Sequence, residues 1–221
     1  ILEEDPVLNR GLIVRYNRIR DVMGVLPHAQ AAQDPATTPS RDRIVRPHMT
    51  WGIYFDNSPR RAQVYGNLCM DNTWGGVFLG GGYAEPEGCV VENNILLNSH
   101  TYQFDAVLGA HSQGNRFRRN IVCYDSPDAA LMRAGKAWKD DAASCAGWAE
   151  FDHNLYWQTA GAALRIPDLE GGTLGDWRKL GFDRNTLVAD PLFVDAAKGD
   201  YRLKPDSPAH KLGFAQLPLE H

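Results

Sequence analysis

Residues 91–96 read Val-Glu-Asn-Asn-Ile-Leu: an apolar residue, two variable residues, an asparagine and an apolar pair. The same pattern, with small variations, recurs at four other places in the chain. The asparagines equivalent to Asn94 are Asn17, Asn67, Asn120 and Asn154. Successive asparagines are 50, 27, 26 and 34 residues apart, and an insertion at 25–50 accounts for the longest spacing. A pattern that returns at a nearly regular interval indicates repeated units that stack on one another.

The length of the repeat and its asparagine favour a parallel β-helix. Each coil of such a fold consists of short strands joined by bends, and coils stacked about 4.8 Å apart pair their backbone groups. Asparagine tolerates the left-handed conformation that a tight bend needs, and its amide can bond the equivalent amide one coil away. A β-sandwich also has short strands and turns, but it has no reason to place asparagine at the same phase five times. We therefore predict an all-β, right-handed parallel β-helix (solenoid), with the handedness taken from the rule for parallel crossovers.

A second segment precedes each asparagine motif and predicts the next strand of each coil. Residues 51–56 (Trp-Gly-Ile-Tyr-Phe-Asp) align with residues 75–80 and with residues 102–105. In this alignment Asp56 and Asp105 come at the end of the strand and share a phase two coils apart.

The repeat also sets the predicted organisation of the chain. The coils extend over 1–160, with a long loop at 25–50 that is rich in Pro, Ala, Gln, Thr and Arg. The repeat stops near residue 161, and we assign 161–218 to a C-terminal cap with a short helix within 168–180 and a closing strand pair. The end of the chain, 219–221, reads Leu-Glu-His and is interpreted as the remnant of a vector-derived tag. No cap precedes the first coil, so we expect a second copy or a missing N-terminal part to cover it.

Composition narrows the function classes. The 221 residues carry 23 Lys and Arg against 27 Asp and Glu, and this near balance argues against a nucleic-acid partner. No apolar run is long enough to span a membrane, so no membrane partner is expected. The four cysteines are too few for a disulfide scaffold and lack the spacing of a zinc site. We predict no metal and no cofactor.

Several segments resemble the bacterial right-handed β-helix proteins that include glycoside hydrolase family 141. The resemblance extends over about 11–214 and lies in residues 52–57, 76–82, 91–94, 104–106 and 189–203. It implies a secreted or periplasmic enzyme that degrades a polysaccharide or oligosaccharide in the manner of a fucosidase or xylanase. It also implies catalytic carboxylates in the strands of Asp56 and Asp105. The chain departs from the family pattern in having Asn57 and Val107 where an Asp and an Arg are expected.

The residues themselves also favour this pair. Glycoside hydrolysis needs two carboxyl groups that flank the scissile bond, one as general acid and the other as base or nucleophile. Strands two coils apart place the backbones of Asp56 and Asp105 roughly 9–10 Å apart, which permits the retaining or the inverting separation. Gly80, Gly81 and Gly82 on the coil between them would leave room for a sugar. Either aspartate could instead be a turn residue that bonds nearby amides.

Other side chains are candidates for substrate binding. Trp51 and Trp74 flank the candidate strands and could stack on a pyranose ring. His48 and His111 could contact the sugar or act as a base, although a solvated loop histidine is an equally good interpretation. The candidate substrate-binding residues are Trp51, Trp74, His48, His111 and Gly81.

Two alternatives to a hydrolase remain open. A polysaccharide lyase would need a cation to neutralise a uronate carboxylate and a base near its C5 proton. Arg41, Arg43, His48 or His111 could serve. A non-catalytic carbohydrate-binding solenoid would need exposed aromatic side chains and no acid pair. The products distinguish these functions, since a hydrolase releases saturated sugars, a lyase unsaturated uronides, and a binding protein neither.

Overall fold

The computed structural model describes six ranges of the chain. These are 10–23, 50–57, 59–80, 86–109, 111–134 and 147–219. The described residues form mostly strands, with one α-helix of six residues, so the prediction of an all-β fold is confirmed. Of the loop predicted at 25–50, only Thr50 lies within the described ranges.

Fifteen of the seventeen described strands belong to three parallel sheets. In spatial order the first sheet contains β1 (Ile13–Arg15), β4 (Gln63–Tyr65), β7 (Val90–Glu92), β10 (Asn115–Arg118) and β13 (Ala149–Asp152). The second contains β2 (Arg18–Arg20), β5 (Leu68–Met70), β8 (Ile95–Leu97), β11 (Ile121–Tyr124), β14 (Leu155–Gln158) and β15 (Leu187–Val188). The third contains β3 (Trp51–Phe55), β6 (Gly75–Gly80), β9 (Tyr102–Val107) and β12 (Ala130–Arg133). Apart from β15, strands that are neighbours in a sheet are separated by two other strands along the chain. The chain therefore contributes a strand to the first, second and third sheet in turn.

The predicted column of asparagines is confirmed. The side-chain amide of Asn67 donates to Asn94 Oδ1 at 3.0 Å, and that of Asn94 donates to Asn120 Oδ1 at the same distance. Asn17 begins this ladder with a bond to Asn67, and Asn120 continues it with a bond to Asn154. Each repeat thus satisfies the polar groups of its bend through the next repeat, which explains why asparagine returns at a constant phase.

The left-handed residue of this bend is not the one that we predicted. It is the residue before each ladder asparagine, where φ is between 52° and 69°. These residues are Tyr16, Gly66, Asn93, Arg119 and His153. The ladder asparagines themselves are selected for their amide bonds, and the strain of positive φ falls on whichever residue precedes them.

The inward side chains of the three sheets share one apolar core. Val64 of the first sheet, Leu96 of the second and Phe104 of the third are all at most 2% exposed and belong to the same cluster. The alternate residues of the first and third sheets point away from it, as the pleat of a strand requires.

The segment after the last repeat closes one end of this core. Helix α1 (Leu174–Lys179) lies within the predicted 168–180 and begins with a capping box between Thr173 and Asp176. Its Trp177 is fully buried and stacks on Phe182, with ring centroids 4.3 Å apart. Asp183 then ends the asparagine ladder, because its buried carboxylate accepts from Asn154 Nδ2 at 3.1 Å.

The remainder of the chain covers a side of the molecule and not an end. Strands β16 (Phe193–Asp195) and β17 (Asp200–Leu203) form the predicted antiparallel pair. This segment packs on an outward apolar face of the second sheet. In that cluster the sheet contributes Leu68, Met70, Ile95, Leu97, Ile121 and Leu155, and the C-terminal segment contributes Leu203, Ala209, Leu212, Phe214 and Leu217. The region predicted as one cap thus consists of two parts with different partners.

Candidate functional site

The outer face of the third sheet brings together the polar and aromatic side chains of interest. Its register aligns one residue from each of the four strands. These residues are Tyr54, Phe78, Asp105 and Arg133. Since the next residues of the first three strands belong to the core, this row lies on the opposite side of the sheet.

Asp105 is fully buried in this row and forms an ion pair with Arg133. Arg133 Nε donates to Asp105 Oδ1 at 3.0 Å. Arg133 Nη2 lies 2.7 Å from Oδ2, at an angle that does not make a hydrogen bond. Burial raises the pKa of Asp105 from 3.8 to about 6, while Arg133 and the Trp51 indole partly offset that effect. A carboxyl group with this pKa can hold or release its proton in weakly acidic solution.

Arg133 is itself held from two sides. Its guanidinium carbon lies 5.4 Å from the ring centroid of Tyr102, which begins the same strand as Asp105. The side chain of Arg133 is 30% exposed, so the ion pair lies between the buried carboxylate and solvent. The guanidinium therefore orients the Asp105 carboxylate and covers it.

Asp56 does not occupy the same position as Asp105, contrary to our prediction. The predicted alignment of the strands is confirmed. In this register, however, the residue that corresponds to Asp105 is Tyr54, which precedes Asp56 by two residues. Two strand spacings and two residues along the strand place their Cα atoms roughly 12 Å apart. The two aspartates therefore share a face of the sheet and are offset along it.

Asp56 is partly exposed and is held by its own strand. The hydroxyl of Tyr54 donates to Asp56 Oδ2 at 2.7 Å, and the backbone N–H of Asn57 donates to Oδ1 at 2.9 Å. Burial raises the pKa of Tyr54, and the charges of Asp56 and Asp105 raise it further. The phenol of Tyr54 therefore remains protonated, acts as a hydrogen-bond donor and lies within the field of both carboxylates.

An aromatic cluster adjoins the two aspartates. Trp51 stacks on Tyr54, with centroids 4.9 Å apart, and contacts Phe78 at 4.4 Å. Trp74 meets Trp51 edge-on at 4.7 Å. Trp51 is only 5% exposed, whereas Tyr54 is 37% exposed and Trp74 is partly exposed. Trp51 is thus the covered ring of the cluster, and Tyr54 and Trp74 are more exposed than it.

The gap that we predicted at the glycines between the aspartates is filled at Gly80. A Cβ atom there would lie 2.1 Å from the Phe78 ring, so this ring occupies the space above the glycine. Gly80 is required for the close approach of Phe78 and does not leave room for a sugar. Gly81, the predicted substrate-binding glycine, lies outside the described residues.

The two candidate histidines are not both placed. His111 is exposed in the loop after β9. His48 lies outside the described residues, as do Arg41 and Arg43. Within the described ranges, no three His, Cys, Asp or Glu side chains are grouped so that they could hold a metal ion. No helix in these ranges has the length and hydropathy for crossing a membrane.

Sequence reasoning missed Tyr54, Phe78 and Arg133. Arg133 follows Asp105 by 28 residues, which is close to the length of one repeat. The repeat length therefore predicts that Arg133 lies beside Asp105 on the next strand of the sheet. Arg133 is the last residue of β12.

No family model matches the chain, and neither the curated proteins nor the solved structures include a match to it.

Proposed function

We propose that the chain is a right-handed parallel β-helix and a glycoside hydrolase of the kind that family 141 represents. Pairing of each strand with the one three positions on, together with a continuous asparagine ladder, supports the solenoid. The two parts of the C-terminal segment act as its cap and as a lateral cover. The resemblance supports a plant-type polysaccharide as substrate and a secreted or periplasmic location.

The proposed mechanism uses two carboxyl groups in unlike surroundings. Asp105, with its pKa raised to about 6 by burial, is the general acid that protonates the leaving oxygen. Asp56, partly exposed and bonded by Tyr54 and Asn57, is the base that activates water. The contrast between these two environments on one face of one sheet is the observation that carries the proposal.

The offset of the two aspartates favours an inverting reaction. Their Cα atoms are roughly 12 Å apart, and side chains that turn toward each other shorten the separation of the carboxyls. An inverting pair needs about 6.5–9.5 Å, so that a water molecule fits beside the sugar. The exposed rings of Tyr54 and Trp74 supply the apolar surface on which a pyranose stacks.

The test is product analysis on fucosylated, xylan and uronate-containing glycans. The unmodified chain is compared with Asp56→Asn, Asp105→Asn and the control Asp125→Asn, which alters an exposed aspartate directly after β11 of the second sheet. We expect saturated products of inverted configuration, a loss of activity of at least about a hundredfold in both site variants, and full activity in the control. Activity should fall as the pH rises above about 6, because the general acid then loses its proton.

Full activity in either site variant would refute the acid pair, and unsaturated uronides would identify a lyase. One observation favours a second function, a non-catalytic carbohydrate-binding solenoid. Asp105 is 0% exposed and is paired with Arg133, which also suits a purely structural carboxylate. Glycan binding that depends on Tyr54 and Trp74, without any product, would support this second function.

A further inference from the structure

The described residues of the first repeat, 10–23, carry an excess of positive charge. Four exposed arginines lie between residues 10 and 20. They are Arg10, Arg15, Arg18 and Arg20. Arg20 forms an ion pair with Asp21 at 2.7 Å, but among the described residues no carboxylate lies within ion-pair distance of the other three.

The later arginines of the first sheet differ in having carboxylate partners. Arg118 pairs with Glu92 at 2.8 Å, and Arg116 pairs with Glu150 at 3.6 Å. The residue level with Arg15 on the adjacent strand is Tyr65, whose hydroxyl accepts from Arg15 Nη1 at 2.9 Å. Arg15 is thus oriented by the hydroxyl of Tyr65 and not by a carboxylate. Its charge can therefore pair with an anion outside the chain.

Tyr16 adds an aromatic surface to these arginines. It is 56% exposed, adopts a φ of 56°, and lies so close over Gly66 that a Cβ there would be 2.5 Å from its ring. In the next two repeats this left-handed position is held by Gly66 and Asn93, which adopt it easily. A tyrosine there costs about 1 kcal/mol of backbone strain. The same strain falls on Arg119 and His153 in later repeats, so it is the exposure of the Tyr16 ring that makes it available to a ligand.

A cavity adjoins Tyr16. It is lined by Tyr16, Asn17, Arg18 and Gly66 on the first two repeats and by Pro218 and Leu219 of the C-terminal segment. Its volume is about 130 Å³, which is smaller than the roughly 300–1,000 Å³ of pockets that enclose a whole small molecule, so it suits one group of a longer ligand. The cavity thus places a ligand between an aromatic ring and a guanidinium group.

We propose that Arg10, Arg15, Tyr16 and Arg18, termed here the arginine–tyrosine surface, bind an anionic polysaccharide. Carboxylate or sulfate groups of the polysaccharide pair with the guanidinium groups, and a sugar ring stacks on Tyr16. The surface lies on the first repeat, around the bend between β1 and β2, whereas the acid pair lies on the third sheet. The proposal is therefore independent of the hydrolase and holds equally for a binding protein.

Affinity gel electrophoresis with polygalacturonate, dextran sulfate and neutral xyloglucan tests this proposal. We expect retardation by one or both anionic polymers, which distinguishes carboxylate from sulfate, and weaker retardation at higher ionic strength. Arg15→Met and Arg18→Met should each weaken binding about fivefold to tenfold. The matched control is Arg116→Met, which removes an arginine that already has a carboxylate partner.

The variant Tyr16→Asn distinguishes an effect on polysaccharide binding from an effect on folding. The substitution removes the ring and places at this position the residue type that Asn93 provides in a later repeat. We expect unchanged or higher stability with binding weakened about fivefold, which a purely structural tyrosine would not give. A chain that ends at Leu219, and so keeps the lining of the cavity, should bind as well as the full chain.

Four results would overturn the proposal. These are equal retardation by xyloglucan, no retardation by either anionic polymer, equal loss of binding in Arg116→Met, and loss of binding when only Glu220 and His221 are removed. Dimerisation through this surface, seen as a concentration-dependent mass that Arg15→Met abolishes, would assign the surface to a second copy instead.

Discussion

Replacement of Asn94 by alanine tests whether the asparagine ladder holds the repeats together. The Asn94 amide is fully buried and donates to Val64 O at 2.9 Å, to Glu92 O at 3.0 Å and to Asn120 Oδ1 at 3.0 Å. Its carbonyl oxygen accepts both the backbone N–H and the side-chain amide of Asn67, each at 3.0 Å. One side chain thus joins three consecutive repeats.

The expected loss of stability comes from the buried polar groups that the substitution leaves without hydrogen-bond partners. The side chains of Asn67 and Asn120 keep other bonds, but the buried Asn67 N–H loses its acceptor and Val64 O loses a donor. An unsatisfied buried group costs about 1–3 kcal/mol, so we expect a loss of about 2–5 kcal/mol. This is a large part of the total stability of an ordinary domain, which is about 5–15 kcal/mol.

Urea unfolding followed by circular dichroism measures this loss, and Asn17→Ala is the matched control. Asn17 is exposed at the first position of the ladder, and we expect its replacement to cost less than about 1 kcal/mol. Asn94→Asp should be worse than alanine at neutral pH, because a carboxylate would face the carbonyl oxygens that now accept from the amide. A loss below about 1 kcal/mol in Asn94→Ala, or equal losses at positions 17 and 94, would refute the reasoning.

Three further predictions use the same unfolding assay or chemical modification. Because the folded chain holds the Asp105 proton up to a pH of about 6, the free energy of unfolding should fall by about 2 kcal/mol as the pH rises from about 4 to 6, and Asp105→Asn should remove this contribution. His153→Gly should stabilise the chain by about 1 kcal/mol, because φ at this residue is 57°. Burial raises the pKa of Cys69 to about 12 and that of Cys89 to about 11, so iodoacetamide at pH 8 should label neither thiol before unfolding, as mass spectrometry of the peptides will show.

Each of these predictions has an outcome that contradicts it. A parallel pH dependence in Asp105→Asn and the unmodified chain would show that other groups cause the fall. Destabilisation by His153→Gly would mean that contacts of the imidazole outweigh the backbone strain. Rapid labelling of Cys69 in the folded chain would require an opening of the core that the buried packing does not allow.

The local sequence pattern was sufficient to predict the strands and the column of asparagines. The same amide bond is made in every repeat, so the same residue type recurs and can be recognised without coordinates. The candidate site was only partly predictable, because its repeats differ in length. The intervals from Tyr54 to Phe78, from Phe78 to Asp105 and from Asp105 to Arg133 are 24, 27 and 28 residues. The segments that we aligned, 51–56 and 102–105, also differ in length, so the aspartates that end them are two residues out of register and their predicted match was wrong.

The sequence by itself therefore determined the all-β repeat, the phase of its asparagines and the short C-terminal helix, because each follows from contacts that recur locally or at one period. The tertiary structure alone decided the Asp105–Arg133 ion pair and the packing of the last thirty or so residues on the second sheet. These contacts join side chains from different repeats, or residues as far apart as Asn93 and Ala215. Which of these contacts form depends on how the strands stack, and the connections of variable length determine that stacking. A local pattern of residues does not predict it.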